Sequence, residues 1–283
     1  MRLKIFSCHH LTPEFTCNTE IFQTLVSNIP EPEDGSFMSD LGHPNIAEDN
    51  RYSELRHQWF VWKNLLDSYD YVGFEHYRRP FFIDTLPVRT LAVIFPDVWQ
   101  IRLFFAGFND VGLRRAPAVF NQYLAMRRSL DEGAIAHVKQ WIGGYDIVVP
   151  RPTVENIEQQ WKSCFDDDTL WDVMVEGVKR SQMFVGRPNC ICFELEMCYF
   201  GNMYIMRTDL LDEYLTFCFE VLAFIKSRLD LGGRALGYFS ERLFSFWLYQ
   251  KRVENPTLRV LEVPFVMFHT SPAQMGPGQT APP

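Results

Sequence analysis

No stretch of this 283-residue chain is apolar for long enough to span a bilayer without interruption. The most apolar region, residues 91–108, is broken by Pro96, Asp97, Gln100 and Arg102, so it reads as a partly exposed helix able to touch a membrane or a partner. The first residues carry positive charge, but no apolar segment follows them, and a secretory leader is not expected. A disulfide framework is also missing. The seven cysteines are odd in number and irregularly spaced, which points to a reducing, cytoplasmic setting, with peripheral contact at the inner face of the membrane as the further expectation. There is no glycine-rich phosphate loop and no dinucleotide fingerprint; Gly232-Gly233 is too isolated to count as one. Finally, there is no excess of basic residues. A formal net charge of −8 argues against nucleic acid as a partner, and any phosphate must be held by a local group of Arg or Lys.

What is present is a globular composition: 47% apolar and 15% aromatic residues, enough for a packed core without staples. Short apolar runs read as buried strands at residues 3–8, 71–74, 146–150, 203–206 and 260–263. Between them lie helical patterns. Tyr52, Leu55, Trp59, Trp62 and Leu66 recur at steps of three and four, giving a helix that starts at Asn50 with Asp49 or Asn50 as cap. Further helices are expected at 171–178, at 209–229 and at 240–250, the last capped by Ser240. Residues 12–50 read mostly as loops, with a short apolar helix near 21–26. Residues 85–144 read as a helical insertion, and residues 271–283 as a disordered tail. Strands without polar alternation, interleaved with helices, predict an α/β fold: a mostly parallel sheet flanked by helices, in one domain over residues 1–270.

In such a sheet ligands bind at the carboxyl ends of the strands. Glu75-His76-Tyr77-Arg78-Arg79 follows one strand and offers guanidinium forks to phosphate oxygens; a surface turn with solvated charges is the other reading. Cys8, His9 and His10 follow the first strand and read either as ligand contacts or as loop residues. Gly201-Asn202 precedes another strand and can bring backbone close to sugar hydroxyls, or be an ordinary turn. Ser240, Glu241 and Arg242 lie at an expected helix start, where Glu241 can serve as general base or simply favour the helix dipole. Cys190-x-Cys192 with Cys198 matches no standard zinc spacing, and the Asp166-Asp167-Asp168 run reads better as helix capping than as a metal site.

Several blocks together resemble a bacterial family known as domain of unknown function 4422. They are Asn45-Ile46-Ala47-Glu48-Asp49-Asn50-Arg51-Tyr52-Ser53-Glu54-Leu55, Trp59-x-x-Trp62-Lys63-Asn64, residues 71–79, residues 145–150, Gly201 to Met206, Asp212-Glu213-Tyr214 and Gly237 to Leu243. Members look like glycosyltransferases of capsule and O-antigen clusters. The resemblance implies a GT-A-like, Rossmann-like fold and a nucleotide-sugar donor, with a uridine-type donor and a hexosyl group such as galactosyl or galactofuranosyl in view. The acceptor would be a glycan or lipid-linked glycan. Many enzymes of that fold end a strand in Asp-x-Asp to hold a divalent metal. Here the corresponding strand ends in Glu75-His76-Tyr77-Arg78-Arg79, so no metal cofactor is expected, manganese being the disfavoured alternative. On this reading His76, Arg78, Arg79, Cys8, His9 and His10 contact the donor. Gly201, Asn202, Ser240 and Arg242 contact the sugar or acceptor, and Glu241 is the catalytic base. A non-catalytic module of the same fold, or a nucleotide-sugar hydrolase, is the alternative.

Overall fold

The structure is a computed structural model and describes residues 1–77, 79–81, 116–165, 167–186 and 193–263. Its centre is a seven-stranded sheet of β1 (Leu3–His9), β2 (Phe22–Val26), β3 (Met38–Ser39), β4 (Tyr71–His76), β5 (Ile147–Pro150), β8 (Tyr204–Arg207) and β9 (Val260–Val263). A separate two-stranded piece pairs β6 (Thr153–Val154) with β7 (Met197–Cys198). The order is β3-β2-β1-β4-β8-β5-β9. β8 runs antiparallel to β4 and β5, and the other pairings are parallel.

Period-two alternation divides the core into two layers. Phe6, Cys8, Val72, Phe74, Tyr204 and Met206 face one side, against α1 (Leu55–Asn64), α5 (Asp168–Arg180), α6 (Thr208–Arg228) and α7 (Ala235–Glu254). Leu3, Ile5, Tyr71, Val148 and Ile205 face the other, against α2 (Ala116–Arg128) and α3 (Glu132–Gly143). Covering on both faces explains why β4 is buried at all six positions and why its first four, Tyr71 to Phe74, read as an apolar run. Gly73 lies beneath neighbouring side chains: a Cβ there would stand 2.7 Å from Ile205 Cγ1.

Three local expectations are corrected. Residues 22–26 form strand β2 rather than a helix; in so short an apolar run the β-sheet neighbour decides, here β1, whose Ile5 faces Phe22. The helix expected from Asn50 is a 3-10 turn, Asn50–Tyr52, whose N-cap Asp49 accepts from Arg51 N. It is interrupted at Ser53, with φ 51°, before α1 begins. The helix expected from Ser240 starts five residues earlier, at Ala235, so Ser240 is no cap and Glu241 lies beyond the first turn. Gly237 does not break α7, because its bare Cα lets the helix touch the Ser53 turn; a Cβ would fall 2.7 Å from Ser53 Cβ. Helix α4 (Ile157–Cys164), which periodicity did not announce, precedes α5. Asp167 Oδ1 caps α5 by accepting from Thr169 N, as the capping reading expected; Asp166 lies outside the described residues. Of the expected insertion, α2 and α3 are described, while residues 82–115 and the tail lie outside.

Candidate functional site

The strand order reverses direction between β1 and β4: from β1 the sheet grows one way through β2 and β3, and the other way through β4. Chain leaving the carboxyl ends diverges there and opens a crevice. A cavity of about 280 Å³ occupies that position. Cys8 and His10 at the end of β1, Ser27, Asn28 and Ile29 after β2, and His76 at the end of β4 line one part of it. Asn50, Ser53, Glu54, Arg56 and His57, around the start of α1, and Arg234, just before α7, line the rest.

Glu54 is the hub. Its Oε1 lies 3.1 Å from His76 Nε2 and 2.6 Å from Arg234 Nη2, and its Oε2 accepts from Ser53 Oγ at 2.5 Å. Burial opposes the charge, but His76, Arg234 and Ser53 overcome it and hold the carboxyl well below the usual carboxylate range. Ser53 can serve both partners because of its left-handed backbone: its Oγ also accepts from Arg234 Nε at 2.9 Å. Arg56 is buried, donating from Nε to Ser53 O and from Nη1 to Ala47 O and Asn50 Oδ1.

The histidines are less charged than their number suggests. Burial, with His57, His76 and His10 nearby, lowers His9 to about 3; burial and then Arg234 lower His10 to about 4. Burial also lowers His57, whose Nε2 lies 2.8 Å from His9 O. At neutral pH these three offer rings and neutral hydrogen bonds, while Arg56 and Arg234 bring permanent cationic charge to the cavity. Burial, helped by Glu54 and Glu75, pushes the Cys8 thiol well above its ordinary value, so it is no nucleophile.

A second cluster adjoins, on the β8 side of β4. Glu241 Oε1 accepts from Gly201 N at 2.8 Å, and its Oε2 lies 3.1 Å from Arg242 Nη1. Burial raises its pKa, against the opposing pull of Arg242, the Gly201 N–H and Arg79. Arg79 reaches the same spot, with Nη1 3.5 Å from where a Gly201 Cβ would lie, and its buried Nε has no partner among the described residues. Arg78 lies outside the described residues.

The remaining expected contacts face the protein itself. Ser240 Oγ donates to Asn202 Oδ1 at 2.7 Å, both residues being buried, while Asn202 Nδ2 donates to Gly237 O. Arg242, only 3% exposed, donates to Tyr238 O and Gln160 Oε1 and lies over the Trp161 and Phe200 rings. Asn202, Ser240 and Arg242, read from the sequence as sugar or acceptor contacts, thus also brace the fold, while the buried Arg242 Nε has no partner among the described residues. His9 stands behind the cavity wall, with Nε2 3.2 Å from Ser7 Oγ.

Sequence reasoning brought Cys8, His10 and His76 to one cavity and missed Arg56, His57 and Arg234. The first two directly follow the Asn45–Leu55 block, and Arg234 follows Gly232-Gly233, the pair set aside as isolated. Glu75, a conceivable metal ligand, is turned to the other face and forms a buried ion pair with Arg127, Nη1 to Oε1 2.5 Å. Among the described residues no group of three His, Cys, Asp or Glu side chains is placed to hold a metal ion.

No protein of curated function matches the chain. One solved structure, titled "WbbM bifunctional glycosytransferase apo structure", is similar over 95% of this chain, with a TM-score of 0.67 and 20% identity. This chain covers 46% of that one, under half its length, and at such identity the likeness is one of fold. Among the described residues no helix is long and apolar enough to cross a membrane. Over residues 4–252 the sequence matches the family described as Domain of unknown function (DUF4422), and the chain belongs to that family.

Proposed function

We propose that this protein is a glycosyltransferase of GT-A-like fold, moving a hexosyl group from a uridine-type nucleoside-diphosphate sugar to a glycan or lipid-linked glycan of a surface polysaccharide. The observation that carries the reading is the convergence of Arg56, Arg234 and His76 on one cavity at the carboxyl ends of β1 and β4. When the bond between the anomeric carbon and the leaving oxygen breaks, negative charge grows on the diphosphate. Preorganised cations facing that charge lower the barrier. Arg234 and Arg56, with Arg79 on the neighbouring side, fill that role. Glu241 takes the proton of the acceptor hydroxyl as its oxygen bonds the anomeric carbon. Its raised pKa suits a general base better than an ordinary carboxylate would. The similar fold of a solved glycosyltransferase supports the reading.

The test is a transfer assay with purified protein, a panel of nucleotide sugars and glycan acceptors, run beside calorimetry with the free nucleotides. Acceptor-dependent release of nucleoside diphosphate is expected. Release that no acceptor accelerates makes the protein a hydrolase, and absence of nucleotide binding makes it a non-catalytic module.

A further inference from the structure

The cavity is not uniform in polarity. Around Glu54 its wall carries the guanidinium groups of Arg56 and Arg234. On the β1–β2 side the wall is His10, Ser27, Asn28 and Ile29, which carry no carboxylate, ammonium or guanidinium. His10 is exposed, and its ring stands edge-on to Tyr77 at 5.2 Å between centroids. Partial desolvation by the surrounding wall, and then Arg234, lower it to about 4, so at physiological pH it presents a flat uncharged ring.

The ledge after β2 is fixed from behind. Asn28 adopts a left-handed backbone, φ 58°, uncommon for a residue with a side chain. Its N–H donates to Asp40 Oδ1 at 2.7 Å, Ser27 N–H donates to His9 O, and Ser39 Oγ donates to Ile29 O. Yet the hydroxyl of Ser27, a residue only 3% exposed, has no hydrogen-bond partner among the described residues. A buried polar group left unsatisfied calls for an explanation, and an absent ligand is one. A left-handed residue at a cavity rim, held by a carboxylate, is likewise the kind of strain found at binding sites.

A nucleoside diphosphate has the same division as the cavity: a neutral planar heterocycle at one end and concentrated negative charge at the other. We infer that the β1–β2 wall is the nucleobase subsite, where the His10 ring stacks on the base and the Ser27 hydroxyl bonds its edge. The inference rests on the donor reading above and adds to it which wall reads the base. The general donor contact expected of His10 thereby becomes a contact with the base.

Calorimetry on the full chain tests this with UDP, CDP, ADP, GDP and inorganic diphosphate, each against wild type, His10→Ala, His10→Phe and Ser27→Ala. At least one nucleotide should bind more tightly than inorganic diphosphate. His10→Ala should weaken that nucleotide by about 5- to 150-fold, the range for one lost base–aromatic stack, and leave inorganic diphosphate unchanged. His10→Phe, which keeps a flat ring, should recover most of the loss. Ser27→Ala should weaken the nucleotide about fivefold without lowering the melting temperature, because the hydroxyl makes no bond among the described residues. If inorganic diphosphate binds as tightly as every nucleotide, the phosphate reading stands and the base subsite falls. The same holds if the variants weaken both probes alike or spare the nucleotide. If neither probe binds, the donor reading itself falls and takes this inference with it.

Discussion

Glu54 and Arg234 are 180 residues apart in sequence, and their carboxylate and guanidinium meet at 2.6 Å across the mouth of the cavity. The pair joins the start of α1 to the loop before α7, and the same carboxylate holds His76 at the end of β4.

Because Arg234 is the more exposed of the two cavity guanidiniums, its loss should be read mainly in ligand binding. Arg234→Ala is expected to weaken a nucleoside diphosphate by roughly 10- to 100-fold, the value of a charge-assisted hydrogen bond. The monophosphate should suffer much less. Titration of UDP and UMP into both proteins decides it; equal losses would remove Arg234 from the diphosphate.

Glu241→Gln preserves an amide oxygen able to accept from Gly201 N while abolishing basicity. Turnover should fall by about 10²–10⁴-fold with donor affinity nearly intact. A folded variant with normal turnover would leave Glu241 as a brace for the Gly201 turn.

The Glu75–Arg127 pair is buried on both sides, and Glu75 Oε2 also accepts from Phe81 N. Arg127→Ala strands a buried carboxylate and should cost about 3–5 kcal/mol in urea unfolding. Replacing both residues by apolar ones should cost clearly less than the single change. A single variant as stable as wild type would show the pair to be incidental.

Acid should weaken the fold in two stages. His9, lowered to about 3, is neutral when folded and takes up a proton on unfolding once the pH drops below about 6.5. The unfolded state then binds more protons, so stability declines by up to ~1.4 kcal/mol per pH unit from about 6.5 downward. Glu54, depressed when folded, adds its own loss as the pH falls below about 4.3. Urea melts at pH 7 and pH 5 on wild type and His9→Phe read the first stage: the variant should show a shallower decline, and an unchanged decline would place the proton elsewhere.

Donor binding should persist in EDTA. Glu75 is committed to Arg127, Glu54 to His76 and Arg234, and Asp167 to the start of α5. Loss of binding on chelation, restored by manganese, would overturn this expectation.

The strands at 3–9, 71–76, 147–150 and 260–263 were legible because each is a short apolar run with turn residues beside it. β2 was not, since five residues of mixed pattern carry no periodicity of their own and take their conformation from β1. The start of α7 was hidden because Gly237 disfavours a helix locally and is required there only by the approach of Ser53. The same division holds in the site. His76 could be read from the end of a strand. His57 and Arg234 could not, because their roles come from partners 48 and 180 residues distant, His9 and Glu54, and local pattern does not encode that distance.

The late position of Arg234 bears on biogenesis. A chain leaving the ribosome presents β1, β2, α1 and β4 first, and with them most of the cavity's floor. The guanidinium that closes the mouth, and the helix whose bare Gly237 seats on the Ser53 turn, emerge only after residue 234. Until they dock, Glu54 lacks one of its two basic partners. Nucleotide capture and completion of the last helix should therefore arise together, so the partly made protein has little ability to sequester donor.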